Sequence, residues 1–231
     1  MKLITIIIPV YNEKETIEEI LDKIVSLKID KQIIVIDDFS SDGSREIIQN
    51  NKHKIDNLIL HNNNLGKGAA IKSAKELINS KFTIIQDADL EYNPLDILNL
   101  LSHAQKNNSK VIYGSRVLNI NKEKVQNFSH KFRIFANYIL TKINNILNNQ
   151  KLTDAHTCYK MFDSDLLKSL DLKENGFAFC PEVTTKLSNM NYKIKEIPID
   201  YKGRTYSEGK KIGFKDGIEA IITLIKYKFF K

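Results

Sequence analysis

The stretch FTIIQDADL, residues 82–90, joins an apolar, β-branched run to two aspartates, Asp87 and Asp89. Such a run is typical of a strand buried on both faces of a parallel sheet. Side chains two residues apart on a strand point the same way, so the two carboxylates are expected together where the strand ends. Carboxylate oxygens bind hard divalent cations, and such a cation can bridge a nucleotide diphosphate. A solvated turn with a helix-capping aspartate is the alternative on this pattern alone.

Similar apolar runs recur along the first half of the chain, and segments with helical spacing separate them. The runs lie at residues 3–10, 32–37, 57–61, 82–87 and 110–114. This alternation predicts an α/β fold with a mostly parallel central sheet flanked by helices. Ligands bind such sheets at the carboxyl ends of the strands, so the residues that follow each run are the candidate site.

Composition and charge narrow the class of protein. The chain has 231 residues, 42% of them hydrophobic and 27% charged, which is typical of a globular domain. The net charge of +7 favours phosphates or an anionic membrane surface. We expect no nucleic acid, because the basic residues lack interleaved aromatics that would form a stacking platform. The two cysteines, Cys158 and Cys180, have no paired ligand spacing, which favours a reduced, cytoplasmic protein.

Membrane-spanning and targeting signals are not expected in this chain. No apolar run reaches the roughly 20 residues that cross a bilayer. The apolar run at residues 3–10 leads directly into polar sequence without a small-residue cleavage site, so no signal peptide is predicted.

Acidic and glycine-rich motifs follow the second and third runs. Asp37 and Asp38 belong to IDDFSSDGS, residues 36–44, and are expected to include ligand contacts. Gly66 and Lys67 belong to NNLGKGAA, residues 63–70, which precedes a helix and favours backbone approach to phosphate. A glycine-punctuated turn is equally consistent with that motif, and the Walker pattern is absent.

Four polar residues further along the chain are candidates for substrate contacts. Arg116 and Lys160 are predicted either as phosphate ligands or as surface charges. Asp154 is the candidate general base. His156 is a candidate proton carrier or second metal ligand, with a structural histidine as the alternative.

The last part of the chain combines basic residues with amphipathic helices. Arg204 and Lys210 lie in YKGRTYSEGKKIG, residues 201–213, which predicts a basic loop that closes over phosphates. Residues 128–148 and 212–231 have apolar residues on one face and polar or basic residues on the other. We therefore predict a peripheral protein bound to an anionic membrane surface through these segments.

Six motifs in order carry a family resemblance: TIIIPVYNE, IDDFSSDGS, NLGKGAA, QDADLEYNP, GSR and R-x-Y-S-E-G-K-K. Together they resemble the inverting family 2 glycosyltransferases, and more narrowly the dolichyl- or polyprenyl-phosphate sugar synthases. The resemblance implies a nucleotide-diphospho-sugar transferase fold of the GT-A type over residues 1–211. Its nucleotide-sugar half would be residues 1–116 and its acceptor half residues 117–211. Residues 212–231 would then be an amphipathic, membrane-associating helix.

The resemblance also assigns roles to particular residues. It implies nucleotide contacts for Pro9, Tyr11, Glu13 and Asp37, metal and diphosphate contacts for Asp87 and Asp89, and donor-diphosphate and lipid-phosphate contacts for Arg204 and Lys210. Glu91 stands where a glutamine can reach the metal in these synthases, so it is the predicted third ligand of Mg²⁺ or Mn²⁺. The predicted catalytic residues are Asp89, Asp154 and Arg204.

The implied reaction is metal-dependent, inverting transfer of a hexose from a UDP- or GDP-sugar to a lipid acceptor on the cytoplasmic face of a membrane. A polyprenyl phosphate is already anionic and needs no base, whereas a hydroxyl acceptor would need one such as Asp154. The run DAHTCYKMF from Asp154 replaces the T-S-G-F run of the synthases. Diacylglycerol glycosylation and a non-catalytic nucleotide-sugar-binding subunit therefore stay open, as does a homo-oligomer or a membrane-protein partner.

Overall fold

A central sheet organises the protein. The computed structural model describes residues 1–118, 128–204 and 213–230. Within these ranges seven strands form one sheet in the order β3-β2-β1-β4-β6-β5-β7. The strands are β1 Lys2–Val10, β2 Lys31–Asp37, β3 Asn57–Leu60, β4 Ser80–Ile85, β5 Val111–Ser115, β6 Lys160–Asp163 and β7 Lys195–Pro198.

Helices flank the sheet. They are α1 Ile17–Ser26, α2 Ser44–Asn50, α3 Lys67–Ala74, α4 Asp96–Lys106, α5 Phe128–Asn148, α6 Ser164–Ser169, α7 Phe179–Asn189 and α8 Phe214–Phe229. Helix α1 shows why they form: Ile17, Ile20, Leu21 and Ile24 recur at helical spacing and are all buried in the core. No helix in the described ranges is both long enough and apolar enough to span a bilayer.

The predicted α/β fold is confirmed, with two strands added to the five predicted ones: β6, and β7, which pairs in parallel with β5. The five apolar runs correspond to β1–β5, and β1, β2, β3 and β4 pair in parallel. Strand β6 lies between β4 and β5 and runs antiparallel to both. It is only four residues long, so its sequence has too few positions to show a period. The divisions after residues 116 and 211 stay predictions.

At the carboxyl edge of the sheet, β1 and β2 extend beyond β4, and the motifs TIIIPVYNE and IDDFSSDGS lie where these two strands end. Strand β1 pairs with β2 as far as Val10 and Asp37, but with β4 only as far as Ile7 and Ile85. Pro9 is tolerated in this central strand because its missing N–H faces the side on which β4 has ended.

The aspartates of the D-x-D motif lie in a turn and not on a strand. Strand β4 ends at Ile85, and Leu90 has a left-handed backbone with φ of 58°. The alternation of side chains along a strand therefore does not apply to Asp87 and Asp89, and the reason given for their proximity was wrong. Their positions depend on the turn, which is held by contacts distant in sequence.

Candidate active site

Two cations of the chain itself lie beside the two aspartates. Asp87 accepts a hydrogen bond from the Lys67 ammonium at 2.5 Å, and Asp89 lies 3.2 Å from Nη2 of Arg204. The Arg204 guanidinium also contacts both carboxylate oxygens of Glu13, at 2.8 and 3.1 Å. The cluster therefore joins the ends of β1 and β4, the start of α3 and a segment near residue 204.

Negative charge in this cluster exceeds what the two cations offset. Burial and repulsion from Asp87 and Glu91 raise the pKa of Asp89 to about 7, although Arg204 opposes the shift. Burial alone would lower the pKa of Lys67, but Asp87, together with smaller effects of the two cysteines, outweighs it, and the pKa is raised well above its usual value. An additional cation would therefore be stabilised beside Asp89.

The donor set fits a hard divalent cation, with two protein ligands in place of the predicted three. Asp87 and Asp89 present carboxylate oxygens, the ligands that Mg²⁺ prefers, and Mg²⁺ is commonly held by one or two carboxylates plus substrate phosphates. Over residues 1–118, 128–204 and 213–230, no three His, Cys, Asp or Glu side chains form a group that could hold a metal ion.

Glu91 is turned toward another segment. It is 4% exposed, and its two carboxylate oxygens accept hydrogen bonds from the Tyr201 hydroxyl at 2.8 Å and the Arg204 backbone N–H at 2.7 Å. The structure thus gives Glu91 protein partners where the sequence predicts a metal ion.

Asp37 and Asp38 have different surroundings. Asp37 is fully buried and pairs with Nε of Arg45 at 2.6 Å. Asp38 accepts hydrogen bonds from the backbone N–H groups of Leu65 and Gly66, at 2.9 and 2.7 Å, and its Oδ1 lies 2.7 Å from Nδ1 of His61. The predicted ligand role of Asp38 is not supported, because its carboxylate is used to hold the loop that begins α3.

The glycines of the same loop allow close packing of two chain segments. A Cβ atom on Gly66 would lie 2.6 Å from the backbone oxygen of Asn175, and one on Gly68 would lie 2.4 Å from that of Glu174. The N–H of Gly66 already donates to Asp38. The motif is thus a turn that packs against residues 174–176, and its Lys67 side chain is the part that reaches the acidic cluster.

A second ion pair lies in the predicted acceptor half. Nε of Arg116 is 2.6 Å from Oδ2 of Asp154, and Nη2 is 2.7 Å from Oδ1. Asn137 also donates to Oδ1 at 3.1 Å. Burial alone would raise the pKa of Asp154, but Arg116 outweighs it and the pKa falls to about 2. This geometry does not favour Asp154 as a general base, because a base needs a pKa nearer the operating pH.

Lys160 is buried and His156 is half-buried near this ion pair. The Lys160 ammonium is fully buried, donates to the backbone oxygens of Ala155 and Thr157, and lies 4.5 Å from the ring centroid of Tyr113. The predicted contact of Lys160 with substrate is therefore contradicted, since this amine holds a turn in the core. Burial, aided by Lys160, lowers the pKa of His156 to about 4, so its ring is neutral at pH 7.

Two functional contacts were missed by the sequence analysis, and one prediction lies outside the described residues. Arg45 neutralises Asp37, and the ring of Tyr201 lies between Arg116, 5.0 Å from its centroid, and Glu91. Neither has a distinctive spacing: Arg45 lies on a helix eight residues after Asp37, and Tyr201 is 110 residues away from Glu91. Lys210 lies outside the described ranges.

Comparisons with known proteins agree with this fold. The chain superposes over its full length on 80% of glucosyl-3-phosphoglycerate synthase from Mycobacterium tuberculosis, solved with Mn²⁺, UDP and phosphoglyceric acid, with a TM-score of 0.72 and 17% identity. That similarity and the sheet define a nucleotide-sugar transferase fold of the GT-A type.

The family follows from the sequence match. The family model described as Glycosyl transferase family 2 matches residues 5–171. The chain therefore belongs to that family and is a glycosyltransferase. It is 25% identical to a dolichyl-phosphate beta-glucosyltransferase of Trichomonas vaginalis over 98% of this chain and 73% of the relative. It is also 25% identical to a low-salt glycan biosynthesis hexosyltransferase of Haloferax volcanii over 93% of this chain, which spans only 51% of that enzyme.

Proposed function

We propose that the protein transfers a hexose, with inversion, from a UDP- or GDP-sugar to a polyprenyl phosphate of the dolichyl type. The observation that carries this proposal is the acidic cluster at the carboxyl edge of the sheet, where Lys67 and Arg204 contact Asp87 and Asp89. The similarity to dolichyl-phosphate beta-glucosyltransferases supports the choice of acceptor.

The chain's own residues account for the electrostatics of the leaving group. Departure of a nucleoside diphosphate places negative charge on its β-phosphate. Lys67 and Arg204 stand at the site with raised pKa values, so both are charged when that charge develops. Mg²⁺ or Mn²⁺ held by Asp87 and Asp89 would supply further positive charge at the same diphosphate. Tyr11, partly exposed after β1, would line the nucleoside. Asp37, at the end of β2, stays a predicted nucleotide contact, with its carboxylate buried and paired with Arg45.

The acceptor half offers a cation for a phosphate monoester. Arg116 is held by Asp154, and burial of this pair fixes the guanidinium beside the ring of Tyr201. A phosphate acceptor is already anionic and attacks without a general base. Hence we assign Asp154 to positioning Arg116 and Arg116 to the acceptor phosphate.

Two helices are proposed to bind the membrane that carries the acceptor. Helices α5 and α8 pack side by side, with a Cβ on Gly217 placed 4.0 Å from Leu140. Their outward faces expose large apolar side chains. These are Phe135, Tyr138, Ile139 and Ile146 on α5, and Ile218, Ile222, Ile225 and Phe229 on α8. An apolar face on a protein of net charge +7 fits an anionic lipid surface, which we take to be cytoplasmic.

The reaction is tested with purified protein and a screen of UDP- and GDP-hexoses. Each donor is offered polyprenyl phosphate, diacylglycerol or a soluble phosphate monoester, with Mn²⁺, with Mg²⁺ or with a chelator. We expect turnover with polyprenyl phosphate that the chelator abolishes. Turnover confined to diacylglycerol would refute the acceptor. Asp89→Asn is expected to lower turnover at least about 100-fold, while Asp22→Asn, an exposed carboxylate paired with Lys54, should leave it unchanged.

Membrane binding is tested separately by flotation with vesicles of phosphatidylglycerol and phosphatidylcholine. Wild-type protein is expected to float, and Ile222→Glu, at a residue that is 60% exposed on α8, should reduce the bound fraction severalfold. Val25→Glu places the same charge on an exposed apolar position of α1 and serves as the matched control. Equal flotation of the two variants would refute the assignment of this surface.

A further inference from the structure

Glu91 is tied to one short segment of the chain at three points. Its carboxylate accepts the Tyr201 hydroxyl and the Arg204 backbone N–H, and its own backbone oxygen accepts the N–H of Lys202 at 2.8 Å. A buried carboxylate is costly unless it is hydrogen-bonded, and here each oxygen has a donor from residues 201–204. These three bonds join positions that are more than 100 residues apart in sequence.

The segment is built to lie against the turn that carries Glu91. Tyr92 and Tyr201 form a β-bridge, and their rings meet edge to face with centroids 5.2 Å apart. Gly203 is required there, because a Cβ atom would lie 2.9 Å from the Tyr201 ring. The backbone of Arg204 is therefore held at a set place, while its guanidinium extends to Glu13 and Asp89.

We propose that Glu91 is a positioning residue: it anchors the backbone of Arg204, through Tyr201, so that the guanidinium stays within reach of the donor diphosphate. That the guanidinium meets a donor diphosphate rests on the proposed function, whereas the anchoring of Arg204 by Glu91 does not depend on it. It replaces the role of third metal ligand that the sequence suggests for this position.

The contacts favour an anchor over a metal ligand. The Glu91 carboxylate faces the 201–204 segment with both oxygens, and no three-ligand group forms within the described part of the chain. Asp89 differs from it in contacting the guanidinium of Arg204 with one carboxylate oxygen, at 3.2 Å, while its other oxygen accepts the backbone N–H of Glu91 at 3.1 Å. The two acids of this motif therefore have different roles: Asp89 contacts the guanidinium of Arg204, and Glu91 holds the backbone of Arg204 in place.

Trypsin tests the anchoring without reference to any substrate. Trypsin cleaves after Lys202 and Arg204. When residues 201–204 are no longer held by Glu91, both peptide bonds become accessible to trypsin. Tyr201→Phe removes one hydroxyl and keeps the ring, and Glu91→Gln keeps the shape of the side chain. We expect cleavage at these two sites, mapped by mass spectrometry, to be about tenfold faster in both variants. Tyr227→Phe removes a similar hydrogen bond, from Tyr227 to Glu174 at 2.7 Å on α8, and should change nothing there. Equal rates in all four proteins would overturn the anchor.

Kinetics separate an anchor from a metal ligand. With the donor and acceptor found in the screen, Tyr201→Phe and Glu91→Gln should each lower kcat about tenfold with little change in the acceptor KM, because the charge met by Arg204 develops in the transition state. The half-saturating Mn²⁺ concentration should stay within about twofold of wild type. A tenfold rise in this Mn²⁺ concentration in Glu91→Gln but not in Tyr201→Phe would overturn the proposal in favour of a metal ligand.

A double variant tests whether the anchor acts through Arg204. In an Arg204→Ala background the effect of Tyr201→Phe on kcat should vanish, and its full persistence would also overturn the proposal. Absence of turnover and of nucleoside diphosphate binding in wild type would instead refute the proposed function, and the trypsin result would still decide the anchor.

Discussion

Replacing Asp154 by asparagine distinguishes a structural ion pair from a general base. The Arg116 guanidinium, against the effect of burial, lowers the pKa of Asp154 from 3.8 to about 2, which corresponds to about 2 kcal/mol in favour of the ionised form. Asparagine keeps one acceptor for Arg116 but leaves its buried charge unpaired. Breaking a buried pair in this way costs about 3 to 5 kcal/mol, so we expect the lower end of that range.

The assay is thermal and urea unfolding at pH 7, with turnover measured well below the melting temperature. For a chain of 231 residues, a loss of about 3 kcal/mol corresponds to a Tm about 10 °C lower. Asp22→Asn, in an exposed pair with Lys54, is the control and should change stability by less than about 1 kcal/mol. Turnover of Asp154→Asn should fall less than about 100-fold. Wild-type stability together with a loss of about 1000-fold or more in kcat would refute this reasoning and restore Asp154 as the base.

Two further predictions concern stability. Because burial lowers the pKa of His156 from 6.5 to about 4, the unfolded chain takes up a proton between these pH values that the folded chain does not, and stability falls as the pH falls through this window. His156→Gln should therefore lose about 2 to 3 kcal/mol less than wild type between pH 7 and pH 4.5 in urea unfolding, and equal losses would contradict the shift. Gly68→Ala should lower the free energy of unfolding by about 1 to 3 kcal/mol, because its Cβ would meet the backbone of Glu174 at 2.4 Å. Gly176→Ala, with no atom within 4 Å of the new Cβ, is its control, and equal stability of both variants would exclude the clash.

The strands that were predicted are those with an uninterrupted run of apolar residues in the sequence. Strands β1, β2 and β4 are apolar at nearly every position because helices cover both faces of the sheet, and this pattern needs no knowledge of partners. Strand β6 carries the fully buried Lys160, whose charge is satisfied by backbone oxygens of its own turn. Its four residues, KMFD, have a charge at each end and are too few to show a strand pattern, and only the folded chain shows that it joins β4 to β5.

The position of the candidate site was predicted better than the roles of its individual residues. Asp37, Asp87 and Asp89 do lie at the carboxyl edge, because the topology of a parallel sheet places all strand ends together. Lys67 also reaches the acids, although the glycines beside it serve chain packing. Asp38 and Lys160 were predicted to contact a ligand, and the structure gives both of them partners within the protein instead.

The sequence by itself determined the class of fold, the edge of the sheet that carries the site and the charges gathered there. These follow from local quantities, namely apolar periodicity, the end of each apolar run and the residue types that come next. Which charge pairs with which was decided only by the tertiary structure, because Arg204 meets Glu13, and Glu91 meets Tyr201, across more than 100 residues of chain. The sequence does not distinguish a carboxylate that binds a cation from one that holds a loop or contacts a substrate, because its role depends on the donors that folding brings to it.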